Sequence, residues 1–125
     1  MAQKHIVIID DETGVRMLLR KMLESAGYRV SEAKNALEVF SIDAKNPPDL
    51  IILDIRMPGI SGHHVLTSFK NDPTFKTPII VLSGLSDPEQ GRTALAEGAD
   101  AFMAKPARSE ELLAKVAELI ARNPI

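Results

Sequence analysis

The sequence predicts an α/β fold: a parallel five-stranded sheet with helices on both faces. Three observations lead there. Short runs rich in Ile, Val and Leu recur along the chain, segments with apolar residues at helical spacing lie between them, and the connections are short. Strands alternating with helices over short loops form βα units, whose crossovers cover both faces of a parallel sheet. The chain has 125 residues, 45% hydrophobic and 26% charged. That suffices for one core, and the reading is a single domain over residues 1–125.

HIVIID (5–10) is the first strand. In TGVRMLLRKMLESAG (13–27), Val15, Leu18, Leu19, Met22 and Leu23 fall at i, i+3, i+4, i+7 and i+8, one helical face, and Gly27 is the stop. YRVSEA (28–33) alternates, as a half-exposed strand does. Asn35 and Glu38 make a capping box for a helix through Ala44, which Asn46-Pro47-Pro48 ends. LIILD (50–54) is the third strand, followed by a helix over 62–70 and the break Asn71-Asp72-Pro73. PIIVLSG (78–84) is the fourth strand. A weakly amphipathic helix follows Pro88, with a thin apolar face of Ala94 and Leu95, and ends at Gly98. AFMAK (101–105) is the fifth strand. Ser109 caps the last helix, with Glu110 and Glu111 in the first turn, where the helix dipole favours acids. Its buried face is Leu112, Leu113, Val116, Leu119 and Ile120.

Strands one, three and four are continuous apolar runs and read as central; strands two and five are mixed and read as edges. The order 2-1-3-4-5 with right-handed crossovers satisfies this, giving a flavodoxin-like (βα)5 three-layer sandwich.

The net charge is −2 with Lys and Arg dispersed, so there is no electrostatic footprint for nucleic acid or an anionic membrane. The absence of cysteine excludes disulfides and thiolate-metal sites. The start, MAQKHIVIID, lacks the apolar region of a signal peptide, and no run approaches membrane-spanning length. A soluble cytoplasmic protein is expected.

The chemistry begins at LIILDIRMPGISG (50–62), where a wholly apolar strand runs into Asp54. Asp is a poor strand residue, and burying its carboxylate unpaired is costly. In a sheet of this order, ligands bind at the carboxyl ends of the strands, at the switch between strands one and three. Strand one ends in Asp10-Asp11, strand three in Asp54, strand four in Ser83 and Gly84, and strand five in Lys105 followed by Pro106. Three carboxylates, a hydroxyl and an ammonium thus meet on one rim. Crowded carboxylates raise one another's pKa, and a hard divalent cation relieves this; Mg²⁺ takes one or two carboxylates and keeps several waters. A metal, a lysine and a hydroxyl around one carboxylate make a receptor for a phosphoryl group, with Asp54 as nucleophile and Ser83 and Lys105 on the phosphoryl oxygens.

IVIIDDE (6–12), LIILDIRMPGISG (50–62), IIVLSG (79–84) and GADAFMAKP (98–106) together resemble the receiver domains of two-component response regulators, like the single-domain chemotaxis regulator. The resemblance covers essentially the whole chain. It implies that Asp54 accepts a phosphoryl group from a histidine kinase or a histidine phosphotransfer protein. It implies that Asp11, Asp54 and the backbone carbonyl of Arg56 ligate Mg²⁺ (Mn²⁺ being the alternative ion), with Asp10 acting mainly through water. Ser83, Gly84 and Lys105 would stabilise the phosphoryl group, and a cis Lys105-Pro106 bond would aim the lysine inward. Ser83 and Phe102 would form a switch acting on the surface of the fourth helix, fifth strand and fifth helix. The implied protein catalyses its own phosphorylation and dephosphorylation and is not a turnover enzyme. It would be a monomer or a weak dimer formed on phosphorylation, signalling to an unidentified partner or output domain.

Other readings stand beside these. Asp10-Asp11 also fits a helix N-cap. Glu12 reads as a solvated first-turn acid. His63 and His64, adjacent on a helix, point in different directions and read as surface or packing residues rather than a metal pair. Phe102 is either an edge-strand core aromatic or a ring that turns inward when Ser83 moves. Met57-Pro58 turns the chain away from the rim, and Gly62 relieves crowding at the next helix. Three departures from the family pattern matter, the first of them at two positions. Ala101 follows Asp100 where winged-helix regulators carry a second acid, and Lys115 stands where their dimer uses arginine. Ala107 replaces a common Phe, and Arg56 faces the phosphorylation pocket. A haloacid-dehalogenase-like phosphatase would want an Asp two residues after its strand-one nucleophile, where Glu12 stands, and a cap domain. An FMN carrier would want a Ser/Thr/Gly-rich loop after strand one, where Asp10-Asp11-Glu12 would repel phosphate. A scaffold that is never phosphorylated would not need so complete a constellation.

Overall fold

The computed structural model describes residues 3–34, 38, 48–55, 62–72, 76–84, 88–105 and 108–122. Its strands are β1 (His5–Ile9), β2 (Arg29–Ala33), β3 (Leu50–Asp54), β4 (Ile79–Gly84) and β5 (Ala101–Lys105). All pair in parallel in the order β2-β1-β3-β4-β5, the expected flavodoxin-like arrangement. The helices are α1 (Thr13–Ser25), α2 (Gly62–Lys70), α3 (Pro88–Ala96) and α4 (Ser109–Arg122). The helix expected over 35–44 falls outside the described residues except for Glu38, so α3 and α4 are the fourth and fifth helices of the sequence reading. Among the described residues no helix is long and apolar enough to cross a membrane.

The sheet divides the core by the two-residue period of its strands. Val7, Ile9, Ile51, Leu53 and Val81 face one side, against Val65, Leu66 and Phe69 of α2 and Ala94 of α3. Ile6, Ile8, Leu50, Ile52, Ile80 and Leu82 face the other, against Leu19 and Leu23 of α1 and Leu112, Val116 and Leu119 of α4. Both faces of β1, β3 and β4 are therefore covered, which is why these strands are apolar throughout. Each such side chain contributes about 1.5–3 kcal/mol on burial, so the strands that carry the site acids form its firmest part.

Three local expectations are corrected. Leu18 is 51% exposed. The buried stripe of α1 runs through Val15, Leu19, Met22 and Leu23, and Leu18 sits on its flank, lining a groove of about 420 Å³ between α1 and α4. Leu95 is also exposed, leaving Ala94 as the buried apolar side chain of α3 among those described. Ser109 is the first residue of α4 rather than its cap. Gly27 and Gly98 do end their helices in the left-handed region, at φ 95° and 113°.

Candidate functional site

β1 delivers Asp10, whose N–H donates to the Ala33 carbonyl of the neighbouring strand (3.1 Å). Its carboxylate Oδ1 accepts the Glu12 N–H (2.9 Å), a tight local turn. Glu12 is the N-cap of α1 and makes no side-chain capping bond, so this bond to Asp10 is the one part of the cap reading the turn retains. The carboxylates of Asp10, Asp11 and Glu12 offer oxygens within 4.8 Å of one another, Asp10 buried and the other two exposed. Glu12 lies in this acidic cluster, and its side chain is 65% exposed, as expected of a solvated acid.

β3 delivers Asp54. Its strand neighbour Ile55 donates its N–H to the Leu82 carbonyl (3.1 Å), which fixes the strand end against β4. Asp54 does not belong to the 4.8 Å acidic group. Lys105, from the end of β5, joins the two: its Nζ lies 3.0 Å from Asp10 Oδ2, 3.2 Å from Asp54 Oδ2 and 3.9 Å from Glu12 Oε1. Burial is the largest single influence on Lys105 and pulls its pKa down. The hydrogen bond to Asp10 and the charges of Asp54 and Asp10 together outweigh it, so the net shift is upward. The ammonium is therefore secure.

Asp10 and Asp54 are nearly sealed from solvent, at 1% and 2% exposure. The Lys105 ammonium faces both of them and the exposed Glu12, and Asp11 adds a further carboxylate to the cluster. Carboxylates in that excess, all hard oxygen donors, suit Mg²⁺ or Mn²⁺, and a bound divalent ion would offset the remaining negative charge. The fit rests on the Asp10, Asp11 and Glu12 carboxylates; the expected Asp54 stands outside that group, and the Arg56 carbonyl lies outside the described residues.

Ser83 on β4 stands one register step beyond Leu82, the partner of Asp54, and pairs with Ala104; Gly84 pairs with Lys105. Its hydroxyl is fully buried and has no hydrogen-bond partner among the described residues. Such a group costs about 1–3 kcal/mol, which is tolerated where an incoming acceptor oxygen will use it.

Gly62 opens α2 directly beneath Asp54. A Cβ there would stand 2.5 Å from Ile55 Cα and 2.6 Å from the Asp54 carbonyl oxygen, so the expected relief of crowding is literal. Phe102 is partly buried against the α2–α3 side of the core, its ring over the bare backbone of Gly91 in α3. His63 pairs through Nδ1 with the Glu97 carboxylate just beyond α3, while His64 is exposed; they form no metal pair. Asp100 accepts the Ile79 N–H (2.8 Å) and pairs with Lys70, and Lys115 pairs with Glu118 within α4. Asp100 and Lys115 are thus each engaged within the chain. Pro106, Ala107 and Met57-Pro58 lie outside the described residues.

Fold and site together define a receiver module. Residues 6–117 match the family model of the response regulator receiver domain, and the chain belongs to that family. It is 35% identical to the phosphate regulon transcriptional regulatory protein PhoB of Pseudomonas aeruginosa, over 98% of this chain and 54% of that protein. Chemotaxis protein CheY4 of Vibrio cholerae superposes with a TM-score of 0.84 at 28% identity, covering 94% of this chain and 99% of that one. The signal receiver domain of a signal transduction histidine kinase from Syntrophus aciditrophicus does so at 0.83 and 31%, covering 94% and 90%. The chain spans about half the length of the curated relatives it matches. It is a receiver domain of two-component signalling.

Proposed function

We propose that Asp54 is the phosphoacceptor and that its donor is a phosphohistidine on a histidine kinase or a phosphotransfer protein. An Asp54 oxygen attacks phosphorus and forms the new P–O bond. The P–N bond breaks, its electron pair stays on the imidazole nitrogen, and that nitrogen takes a proton from solvent. Asp10, Asp11 and Asp54 would hold Mg²⁺, whose charge offsets that of the phosphoryl oxygens. Lys105 remains protonated beside Asp54 and neutralises a second phosphoryl oxygen. Ser83 donates its hydroxyl to a third, and the Gly84 backbone leaves the phosphoryl group room.

The single observation that carries this reading is the buried Asp54 carboxylate facing the Lys105 ammonium at 3.2 Å, beside an acidic cluster able to hold a cation. Phosphorylation adds charge and strong acceptors. Ser83 responds by turning inward, and Phe102 follows. The arrangement of α3, β5 and α4 shifts between two states and presents Phe102 and its neighbours to a partner. In the test, acetyl phosphate and Mg²⁺ add one phosphoryl group by intact mass, and Asp54→Asn prevents it. Full labelling of Asp54→Asn would overturn the choice of nucleophile.

A further inference from the structure

One guanidinium holds the turn that carries the acidic cluster. Arg16, in the first turns of α1, donates through Nη1 to the Asp10 backbone carbonyl and through Nη2 to the Thr13 hydroxyl (3.3 Å). Its Nε donates to the Glu32 carboxylate of β2 (3.0 Å). The Arg16 side chain is only 13% exposed, so these bonds are made in a screened, partly buried place. The helix N-terminus has no side-chain cap, and while the Asp10 carboxylate is held by the Glu12 N–H at Oδ1 and the Lys105 ammonium at Oδ2, Arg16 is the side chain seen to hold the Asp10 backbone carbonyl among the described residues.

We propose that Arg16 is a positioning residue for the divalent-cation site, locking the Asp10 carbonyl, and with it the Asp10 and Asp11 carboxylates, into ligating register. The inference rests on the metal reading of Asp10, Asp11 and Asp54 given above. Arginine suits the task because its planar fork donates in several fixed directions at once, which a lysine ammonium on a flexible stem does not reproduce. A bare guanidinium beside a cation site would repel the cation. Glu32 removes that difficulty: it takes up the charge of Arg16 and also pairs with Arg20 (2.6 Å). Arg16 therefore orients the acids without opposing the metal. Groups that orient metal ligands from behind in this way typically change metal affinity by roughly ten- to a hundredfold when removed.

Arg20 provides the internal control. It bonds Glu24 and Glu32 and the Val30 carbonyl, but no bond from it to the Asp10–Thr13 turn is seen among the described residues. The experiment is a calorimetric Mg²⁺ titration of the intact chain and of Arg16→Ala, Arg16→Lys and Arg20→Ala, with a thermal melt of each in the absence of metal. Arg16→Ala is expected to weaken Mg²⁺ binding roughly tenfold or more. Arg16→Lys should recover only part of it, and this milder variant carries the test if Arg16→Ala does not fold. Arg20→Ala should lower the melting temperature while leaving Mg²⁺ affinity within about twofold. Wild-type affinity in both Arg16 variants overturns the proposal, as does an equal loss in Arg20→Ala, which would trace the effect to general loosening of α1 on β2. Failure of the wild type to bind Mg²⁺ overturns the metal reading itself, a result distinct from either.

Discussion

A methyl group on residue 62 would be placed against backbone, the Ile55 Cα and the Asp54 carbonyl, and backbone at the end of a buried strand cannot step aside. Overpacking of this kind costs about 1–3 kcal/mol. Gly62→Ala is therefore expected to lower the melting temperature, and to slow labelling by acetyl phosphate more than an equally destabilising core change elsewhere. Melts and time-resolved mass spectrometry against Val116→Ala check both parts. At this scale the sequence was most informative about residues that break a local rule. Asp54 interrupts an apolar run and Lys105 closes a strand, so each announced a role. Arg16 breaks no rule: an arginine on a helix is unremarkable, and its bonds to Asp10 and Glu32 exist only once α1 lies against β2. Glu12 reads as solvated and its side chain is 65% exposed, but helix position alone does not say that Lys105 will arrive 3.9 Å away.

α3 presents a thin apolar face to the sheet. Among its described side chains Ala94 is the buried apolar one, and the Phe102 ring of β5 lies on Gly91. Gly to Ala inside a helix ordinarily stabilises by about 0.5–1 kcal/mol. Here a Cβ would stand 2.5 Å from three atoms of the Phe102 ring. Gly91→Ala alone should thus lower the melting temperature, and the same change in a Phe102→Leu background should raise it. Four melts make the cycle, and stabilisation of equal size in both backgrounds would show that the ring does not rest there. Element boundaries were legible because periodicity, glycine stops and proline breaks act locally. Which flank of an apolar face is covered was not: Leu18 and Leu95 share helical spacing with buried neighbours, and only the position of the next element leaves them exposed.

Across the whole molecule, the strand order was readable because continuous apolar runs must be central and mixed ones peripheral. That order alone assembles a site from four strand ends. The β2 edge is tied down by charge rather than by burial on both faces. Glu32 takes hydrogen bonds from Arg20 and Arg16, and the bond from Arg20 is the largest influence holding its carboxyl below the usual value of 4.5. A carboxyl depressed on folding contributes stability that is complete above its unfolded pKa and is lost as pH falls through the lower folded one. Glu32→Gln should therefore cost about 1 kcal/mol near neutrality and almost nothing in strong acid. Urea melts at pH 7 and pH 3 measure the difference, and an equal loss at both would count against the charge-pair account.

β5 lies at the sheet edge and is the last of the five strands to be synthesised. A nascent chain carries Asp10, Asp11 and Asp54 well before it carries Lys105, and domains begin to organise during synthesis. Until β5 docks, the acids at the rim repel one another with no ammonium between them. The final strand brings two things at once, its ladder of hydrogen bonds and the charge that reconciles the acids. A product broken off before residue 105 gains neither, so an unfinished chain cannot stand in for a finished one.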